Sequence, residues 1–252
     1  MNIPPHRAPE ATGFDAHALA YVTSPVHSAG QDMDDLATIL AARRPARVLD
    51  LGTGGGHVAF RAAKWADRVV AYDLSASMLA AVEAEAGKRG HRNIAVSRGM
   101  VEDLPFADHS FDAVLTRFSA HHWRDLPRAL AEARRVLQPG GLAVFIDVVA
   151  PPSPLADTWL QTLELMRDRS HLRDYSLAEW RAALKTAGFA PGTPRAYRLP
   201  MAFDAWVARI GTPAPLVAAL RLMLQSAPGE IVAHFNVQAD GSFTIDTCLI
   251  EG

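Results

Sequence analysis

The sequence predicts an α/β protein built on a seven-stranded, mostly parallel sheet with helices on both faces. From about Ala46 onward, short apolar runs alternate with helical patterns, and this alternation is typical of parallel sheets. Two further apolar runs follow a helical insertion after the fifth strand. The chain has 252 residues, of which 49% are hydrophobic, which suits one domain with one core.

The predicted strands are short apolar runs bounded by polar, proline or glycine residues. They are residues 47–51, 68–73, 93–97, 111–116, 142–149, 194–199 and 243–250. Apolar residues at steps of three and four predict a helix over about 126–137, and Gln138-Pro139-Gly140-Gly141 should end it. Ser75 can cap another helix, and Ser176 a later one over 177–187.

A single domain over residues 1–252 is expected, with its core at about 46–150. Residues 14–44 contain two helical patterns, 14–21 and 33–42, that should pack on or over the sheet edge. Pro151, Pro152 and Pro154 break the chain after the fifth strand, and a helix over about 155–167 follows. We therefore expect the N-terminal helices and an insertion at 151–176 to form a lid.

Composition argues against several classes of function. The net charge of -2 and the pI near 6.5 provide no broad positive field, so nucleic acid is not an expected partner. Cys248 is the only cysteine, and no zinc-type spacing occurs, so neither a disulfide nor a metal is expected. No run of about 18 apolar residues indicates a membrane span or signal peptide, which makes the cytoplasm the expected location.

A glycine turn follows the first predicted strand. The strand runs into Asp50 and then into Gly52-Thr53-Gly54-Gly55-Gly56, where missing Cβ atoms let a ligand approach the backbone. A dinucleotide fingerprint starting at Gly52 would need glycine at position 57, which is His57. The Asp50 carboxylate would repel a pyrophosphate and attract ammonium or sulfonium groups, so we expect a cationic ligand.

A second acid, Asp73, ends the second predicted strand about 20 residues after the glycine turn. At this place and spacing, a carboxylate can accept hydrogen bonds from both hydroxyls of a ribose. Taken alone, Asp73 could equally be an exposed acid at a strand end. Its combination with Asp50 and the glycines favours a nucleoside site.

Several motifs stand in one order and spacing along the chain. They are Asp50-x-Gly52-x-Gly54-x-Gly56, Asp73, Glu102-Asp103-Leu104-Pro105-Phe106, Ser110-Phe111-Asp112-Ala113-Val114 and Val136-Leu137-Gln138-Pro139-Gly140-Gly141. Over about 46–149 the chain resembles the class I S-adenosylmethionine (SAM)-dependent methyltransferases, above all the type 11 subgroup with the ubiquinone and menaquinone C-methyltransferases. Residues 168–173 and 176–180 look like uncharacterised bacterial members. The resemblance implies a Rossmann-like fold, SAM as cofactor and S-adenosylhomocysteine as product.

The resemblance also implies which residues contact SAM. Asp50 and the glycine turn would hold the methionine end, Asp73 the ribose, and Leu74 and Met78 the adenine. Many relatives have Asp at the place of Met100, so here the adenine contact would pass to Glu102 or the backbone near Val101. Tyr21, Ser24 and Arg117 are candidates for the methionine carboxylate, or else surface and packing residues. The expected cofactor-binding residues are Tyr21, Asp50, Gly52, Thr53, Gly54, Gly56, Asp73, Leu74, Met78, Met100, Val101, Glu102 and Arg117.

Methyl transfer is an in-line displacement in which positioning supplies much of the acceleration. An acidic acceptor also benefits from a general base with a pKa near 7, as histidine has. His121 and His122 follow the fourth strand, and one of them is expected to face the ligand crevice. His171 on the insertion is a third candidate and His27 a fourth. For each, the alternative is a histidine bonded to loop backbone or solvated on a lid.

The acceptor is expected to be a small, partly apolar or aromatic molecule. Relatives that methylate base or amide nitrogen typically have an Asn/Asp-Pro-Pro-aromatic turn after the fourth strand, where this chain has Thr116-Arg117-Phe118. Three tryptophans, Trp159, Trp180 and Trp206, could line an acceptor site or pack in the core. The predicted function is methyl transfer to C, O or N of a small molecule. The alternatives are a SAM-binding protein without transferase activity and a nicotinamide-dependent oxidoreductase. A homodimer is a possible assembly.

Overall fold

The computed structural model describes residues 30–252, which form one seven-stranded sheet with the strand order β3-β2-β1-β4-β5-β7-β6. Strands β1 to β5 are parallel, and β7 runs antiparallel to both β5 and β6. The strands are β1 Arg47–Leu51, β2 Arg68–Asp73, β3 Ile94–Arg98, β4 Phe111–Arg117, β5 Leu137–Val148, β6 Arg195–Met201 and β7 Phe243–Glu251. The predicted Rossmann-like, mostly parallel sheet is thus confirmed.

Helices follow most strands of this sheet. They are α1 Gln31–Arg43, α2 His57–Ala62, α3 Ala76–Lys88, α4 Leu126–Val136, α5 Pro154–Arg167, α6 Leu177–Thr186, α7 Phe203–Ala208, α8 Ala214–Gln225 and α9 Gly229–Phe235, with a 3₁₀ turn at Ala120–His122. The predicted caps are present, since Ser75 Oγ accepts from the Met78 amide and Ser176 forms a capping box with Glu179.

The two faces of the sheet are buried against different helices. On one face, Leu49 and Leu51 of β1 lie in a cluster with Leu130 of α4 and Trp180 of α6. On the other face, Val48 joins the cluster that contains residues of α1 and α2. This alternation along β1 follows from the strand period of two and explains why the central strands are apolar throughout.

Strand β5 begins earlier than the sequence predicts. Helix α4 ends at Val136, and Gln138-Pro139-Gly140-Gly141, predicted as a helix terminator only, lies inside the strand. Its pairing with β4 shifts here, because Phe111 pairs with Leu137 but Ala113 pairs with Leu142. The extra residues bulge out of the ladder, and Gly140 takes a φ of 71° that glycine tolerates without strain.

Helices α7 to α9, between β6 and β7, are missing from the sequence prediction. They pack with α5 into a third apolar cluster, which includes Leu160, Trp206, Leu220 and Phe235. These three helices therefore pack over the sheet together with α5, which belongs to the predicted insertion at 151–176. Short helices that begin after prolines at 213 and 228 give only a weak periodic signal in the sequence.

The strand order reverses between the parallel neighbours β1 and β4: β2 and β3 are added on one side of β1, and β5 is added on the other side, next to β4. In open α/β sheets a crevice opens at the carboxyl ends of the strands beside such a reversal, and ligands bind there. Among residues 30–252, no single helix is long and apolar enough to cross a membrane, although α8 and α9 pass that test together as a pair bent by 104°. Tyr21, Ser24, His27 and the predicted helix 14–21 lie outside the described residues.

Candidate active site

A cavity of about 320 Å³ lies at the carboxyl ends of β1, β2 and β4. One end is formed by the glycine turn after β1 and by residues that follow β2 and β3. The other end is formed by the last turn of α5, by α7 and by residues of β5, β6 and β7. The cavity is therefore where the strand order predicts a ligand site.

The glycines of the turn differ in what surrounds them. Gly52 and Gly54 have φ values of 64° and 48° and both line the cavity, and a Cβ on Gly54 would meet nothing within 4 Å. Gly56 has a φ of 78°, and a Cβ there would lie 3.0 Å from Phe60 and Val82. Gly56 is absent from the cavity wall and serves the close packing of α2 against α3. Thr53 and Gly55 complete the wall at this end.

Asp50, near the end of β1, links the glycine turn to α2 by hydrogen bonds. Its Oδ2 accepts hydrogen bonds from Thr53 Oγ1 at 2.6 Å and from the Ala59 amide of α2 at 3.1 Å. Burial raises the pKa of Asp50 to about 7, against the effect of these hydrogen bonds, and the negative charge of Asp73 adds to the rise. Asp50 lines the cavity, so a cation bound there would favour its ionised form.

Asp73 at the end of β2 ties the turn to the next helix. Its Oδ2 accepts from the Gly54 amide at 2.8 Å and its Oδ1 from the Ser75 amide at 2.9 Å. These bonds fix the carboxylate at the cavity wall. Each carboxylate oxygen can accept two hydrogen bonds, so Asp73 is the type of group that a pair of ligand hydroxyls requires.

Two large apolar side chains are exposed beside Asp73. Leu74 is 46% exposed and Met100 42%, and both line the cavity together with buried Met78 and Val101. Glu102 is buried at the same end, and its Oε1 accepts from the Arg124 amide at 2.9 Å. Among residues 30–252, nothing hydrogen-bonds to Glu102 Oε2. The end after β2 and β3 thus offers apolar surfaces for a flat ring and one carboxylate oxygen at their edge.

Arg117 at the end of β4 also lines the cavity. Its Nε donates to Asp32 of α1, a buried ion pair that the sequence analysis missed, and its guanidinium lies 4.3 Å from the ring centroid of Phe118. Phe118 has a φ of 51°, which turns the chain sharply out of β4. Arg117 is therefore held at the rim by α1.

His121 lies in the 3₁₀ turn after β4 and reaches Asp147 near the end of β5. The Nδ1 to Asp147 Oδ1 distance is 2.7 Å, and Asp147 also accepts from the amides of Ala120 and Val148. Burial alone would lower the pKa of His121, but the charge and hydrogen bond of Asp147 raise it to about 9. His121 lines the cavity and Asp147 lies behind it, which leaves Nε2 as the atom on the cavity side.

His122 also lines the cavity, although only one histidine of the pair was expected there. Its ring centroid lies 4.2 Å from that of His121, and its Nδ1 is 3.2 Å from the Ser170 carbonyl oxygen. Burial, and then the positive charge of His121, lower the pKa of His122 to about 4. The two adjacent histidines thus have pKa values on opposite sides of 7.

His171 lies outside the cavity wall. Its Nε2 donates to Gln161 Oε1 at 2.9 Å, and burial followed by the charges of His121 and His122 lowers its pKa to about 3. The ring is packed 5.8 Å from that of His121, so it contacts the site from behind. His171 is thus not placed to face an acceptor from above.

Asp174 is a buried acid next to His121. It is 1% exposed, and its Oδ1 lies 4.0 Å from His121 Nδ1. Within the described part of the chain Oδ2 has no hydrogen-bond partner, and burial raises the pKa of Asp174 well above its usual value. His121, Asp147 and Asp174 have ligand-type atoms within 4.8 Å of one another. His121 and Asp147 lie 2.7 Å apart, which is a hydrogen-bond distance, whereas Asp174 lies too far from His121 to share a hydrogen bond with it.

The far end of the cavity is largely apolar. Its lining includes Val148, Leu199, Met201, Trp206 and Ile245. Of the three tryptophans that the sequence offered for an acceptor wall, Trp206 lies at the cavity and Trp180 is buried in the main core. Trp159, a residue of α5, packs against the third apolar cluster. Sequence reasoning missed Asp32, Asp147 and Asp174 because single acids in strands or loops have no local motif.

Known proteins are similar to this chain in sequence and in fold. The model of the methyltransferase domain family matches residues 49–145. The uncharacterized protein YafE of Escherichia coli is 44% identical over 200 residues, covering 79% of this chain and 97% of that protein. The uncharacterized methyltransferase YcgJ of Bacillus subtilis is 31% identical over 246 residues, covering 96% and 97%.

Two solved structures have a fold similar to that of this chain. The YcgJ structure has a TM-score of 0.83 at 31% identity and covers 88% of this chain and 97% of its own, and a putative methyltransferase of Bacillus halodurans has 0.84 at 32%, covering 88% and 98%. The chain belongs to the class I SAM-dependent methyltransferases and is a methyltransferase.

Proposed function

We propose that this enzyme methylates an acidic oxygen or carbon atom of a small, partly apolar acceptor, with His121 as the general base. The observation that carries the proposal is the hydrogen bond from His121 Nδ1 to Asp147, which fixes the tautomer and leaves Nε2 at the cavity. The apolar far end supports an acceptor with an apolar body. A net charge of -2 supports a small molecule over nucleic acid.

The charge of the cofactor half and the open space at its glycine turn support SAM as the cofactor. When bound, SAM supplies a methyl group on a positively charged sulfur. The open space at Gly54 admits a ligand close to the backbone, and Asp50 and Asp73 favour a cationic nucleoside. Leu74 and Met100 would cover the adenine, and Glu102 Oε2 would accept from its amino group. Thr53, Met78, Val101 and Arg117 would complete this half, and Tyr21 stays a prediction.

The proton step follows from the pKa of His121. A base with a pKa of about 9 is matched to phenols and enols, which ionise near pH 10, and not to alkyl alcohols. The acceptor proton passes to His121 Nε2, while the acceptor atom gains the methyl group and the methyl–sulfur bond breaks. The Asp147 carboxylate balances the imidazolium that forms. His122, held neutral, lines the cavity beside the base without adding a second positive charge.

A screen for methylated products tests this function. The protein is incubated with SAM and a set of phenols, enolisable ketones, alkyl alcohols and amines, and each mixture is examined by mass spectrometry for the gain of one methylene. We expect products from phenols or enols, and a loss of roughly 100-fold in His121→Gln. His109→Gln is the matched control, because His109 bonds a backbone carbonyl, at Leu137, away from the cavity.

Products from amines or alkyl alcohols alone would contradict the proposal, as would full activity of His121→Gln. The cytoplasmic location and a homodimer stay predictions from the sequence.

A further inference from the structure

Arg167, the last residue of α5, is fixed at the far end of the cavity by three contacts. Its Nε donates to the Trp206 carbonyl oxygen at 3.1 Å, and its Nη1 lies 3.2 Å from Glu164 Oε2. Its guanidinium carbon lies 5.2 Å from the Trp206 ring centroid. Three contacts from two sides hold the guanidinium in one place, although nothing in the proposed proton step uses it.

One edge of this guanidinium is available to a ligand. Arg167 lines the cavity, its side chain is 11% exposed, and among residues 30–252 nothing accepts a hydrogen bond from its Nη2. Arg169 and Arg209 also line the cavity. Among residues 30–252, Glu164 is the acid in salt-bridge contact with Arg167, and the nearby Asp168 carboxylate also interacts with its charge. A guanidinium with free N–H groups is a preferred partner of carboxylates.

The surface beside Arg167 is apolar and rigid. Trp206 is fully buried and packs edge-on against Phe243, with ring centroids 5.0 Å apart. Met201 and Ile245, from the ends of β6 and β7, extend the same floor. A ligand that lies on this floor is desolvated, and desolvation strengthens the attraction of its charge to Arg167.

We propose that the far end binds the carboxylate of an amphipathic acceptor: Arg167 holds the anionic group, and Trp206, Met201 and Ile245 hold the apolar body. The acceptor class is then a small apolar carboxylic acid that also contains the methylated phenol or enol. This inference rests on the proposed function for the assignment of the far end to the acceptor.

Calorimetry with a matched pair of probes tests the inference. The probes are 2-naphthoate and 2-naphthamide, which share their shape and differ in charge, titrated into protein saturated with S-adenosylhomocysteine. We expect naphthoate to bind at least tenfold more tightly than naphthamide, since a charged hydrogen bond is lost in the amide. Arg167→Gln should remove this preference, and Glu164→Gln should increase it.

Two further variants test whether the change in preference comes from the Arg167 charge and not from altered folding. Arg221→Gln is the matched control, because Arg221 also stacks on an aromatic ring, that of Phe203, and pairs with an acid, but lies away from the cavity. The double variant Glu164→Gln with Arg167→Gln leaves no unpaired buried charge and should lack the preference while its thermal unfolding stays near wild type.

Equal binding of both probes, or an unchanged preference in the double variant, would overturn the inference. So would displacement of naphthoate by S-adenosylhomocysteine, which would place the probe in the cofactor half. These results leave the screen for methyl transfer unaffected. If products form only from neutral phenols, the inferred acceptor carboxylate is refuted and the proposed function stands. If no SAM turnover occurs with any acceptor, the proposed function is refuted whatever the binding of the two probes.

Discussion

The pKa values of the adjacent residues His121 and His122 shift in opposite directions because the two rings have different surroundings. His121 and His122 are both buried, which disfavours the charged form of each. His121 is hydrogen-bonded to Asp147, and the positive charge of His121 then disfavours protonation of His122. The sequence predicted a histidine at this place but not its pKa, because Asp147 is brought to it by the pairing of β4 with β5.

The first prediction concerns pH. His121 must be deprotonated to act as a base, so kcat/KM should rise about tenfold per pH unit below its pKa and level off above about 9. Asp147→Asn removes the charge that raises this pKa, so the plateau should begin at lower pH and its height should fall, by roughly 100-fold. Initial rates between pH 6 and 10 measure both effects, and a flat profile in the wild type would contradict the assignment.

The second prediction concerns Asp50. Its pKa of about 7 in the free protein implies that a cationic cofactor binds with loss of a proton below pH 7. SAM affinity should therefore weaken as pH falls from 7 to 5, by up to about tenfold per unit. Asp50→Asn, which cannot ionise, should bind more weakly and with a flatter pH dependence, as calorimetry can establish. An affinity in the wild type that does not vary over this range would exclude a charged contact with Asp50.

At the scale of elements, local signals predicted the helices and strands that have caps or clear periods. Ser75 and Ser176 begin helices as expected. The start of β5 could not be predicted, because Gln138-Pro139-Gly140-Gly141 has the sequence of a turn and enters the sheet only through pairing with β4. Helices α7 to α9 depend on the third apolar cluster, a tertiary property.

The glycine turn provides the third prediction. Gly56→Ala should cost about 2–4 kcal/mol of unfolding free energy, because the residue has positive φ and its new Cβ would press on Phe60 and Val82. Gly54→Ala should cost only about 1–2 kcal/mol, since its Cβ would enter open space, yet it should weaken SAM binding by filling the cofactor side. Urea unfolding and calorimetry on both variants separate the effects. Equal losses of stability in the two variants would contradict the assignment of Gly56 to packing. Loss of SAM binding in the folded Gly56 variant alone would contradict the assignment of Gly54 to the cofactor side.

At the scale of the whole molecule, the site lies where the strand order reverses. The order of motifs along the chain sufficed to predict the sheet, the crevice and the family, because the βαβ units place the glycine turn and Asp73 at one edge. The acceptor half was less predictable, since it combines α5, α7 and the ends of three strands that are distant in sequence. Its chemistry became visible only from side chains such as Arg167 and Trp206.

The most direct test of the account is SAM binding by Asp73→Asn, measured by calorimetry beside Asp67→Asn, an exposed acid at the opposite end of β2. Both variants should unfold at temperatures close to that of the wild type. We expect the Asp73 variant to bind SAM at least tenfold more weakly, since charged hydrogen bonds to the ribose are lost, and the Asp67 variant to bind as the wild type does. Unchanged SAM affinity in a folded Asp73→Asn protein would contradict the assignment of this crevice to the cofactor.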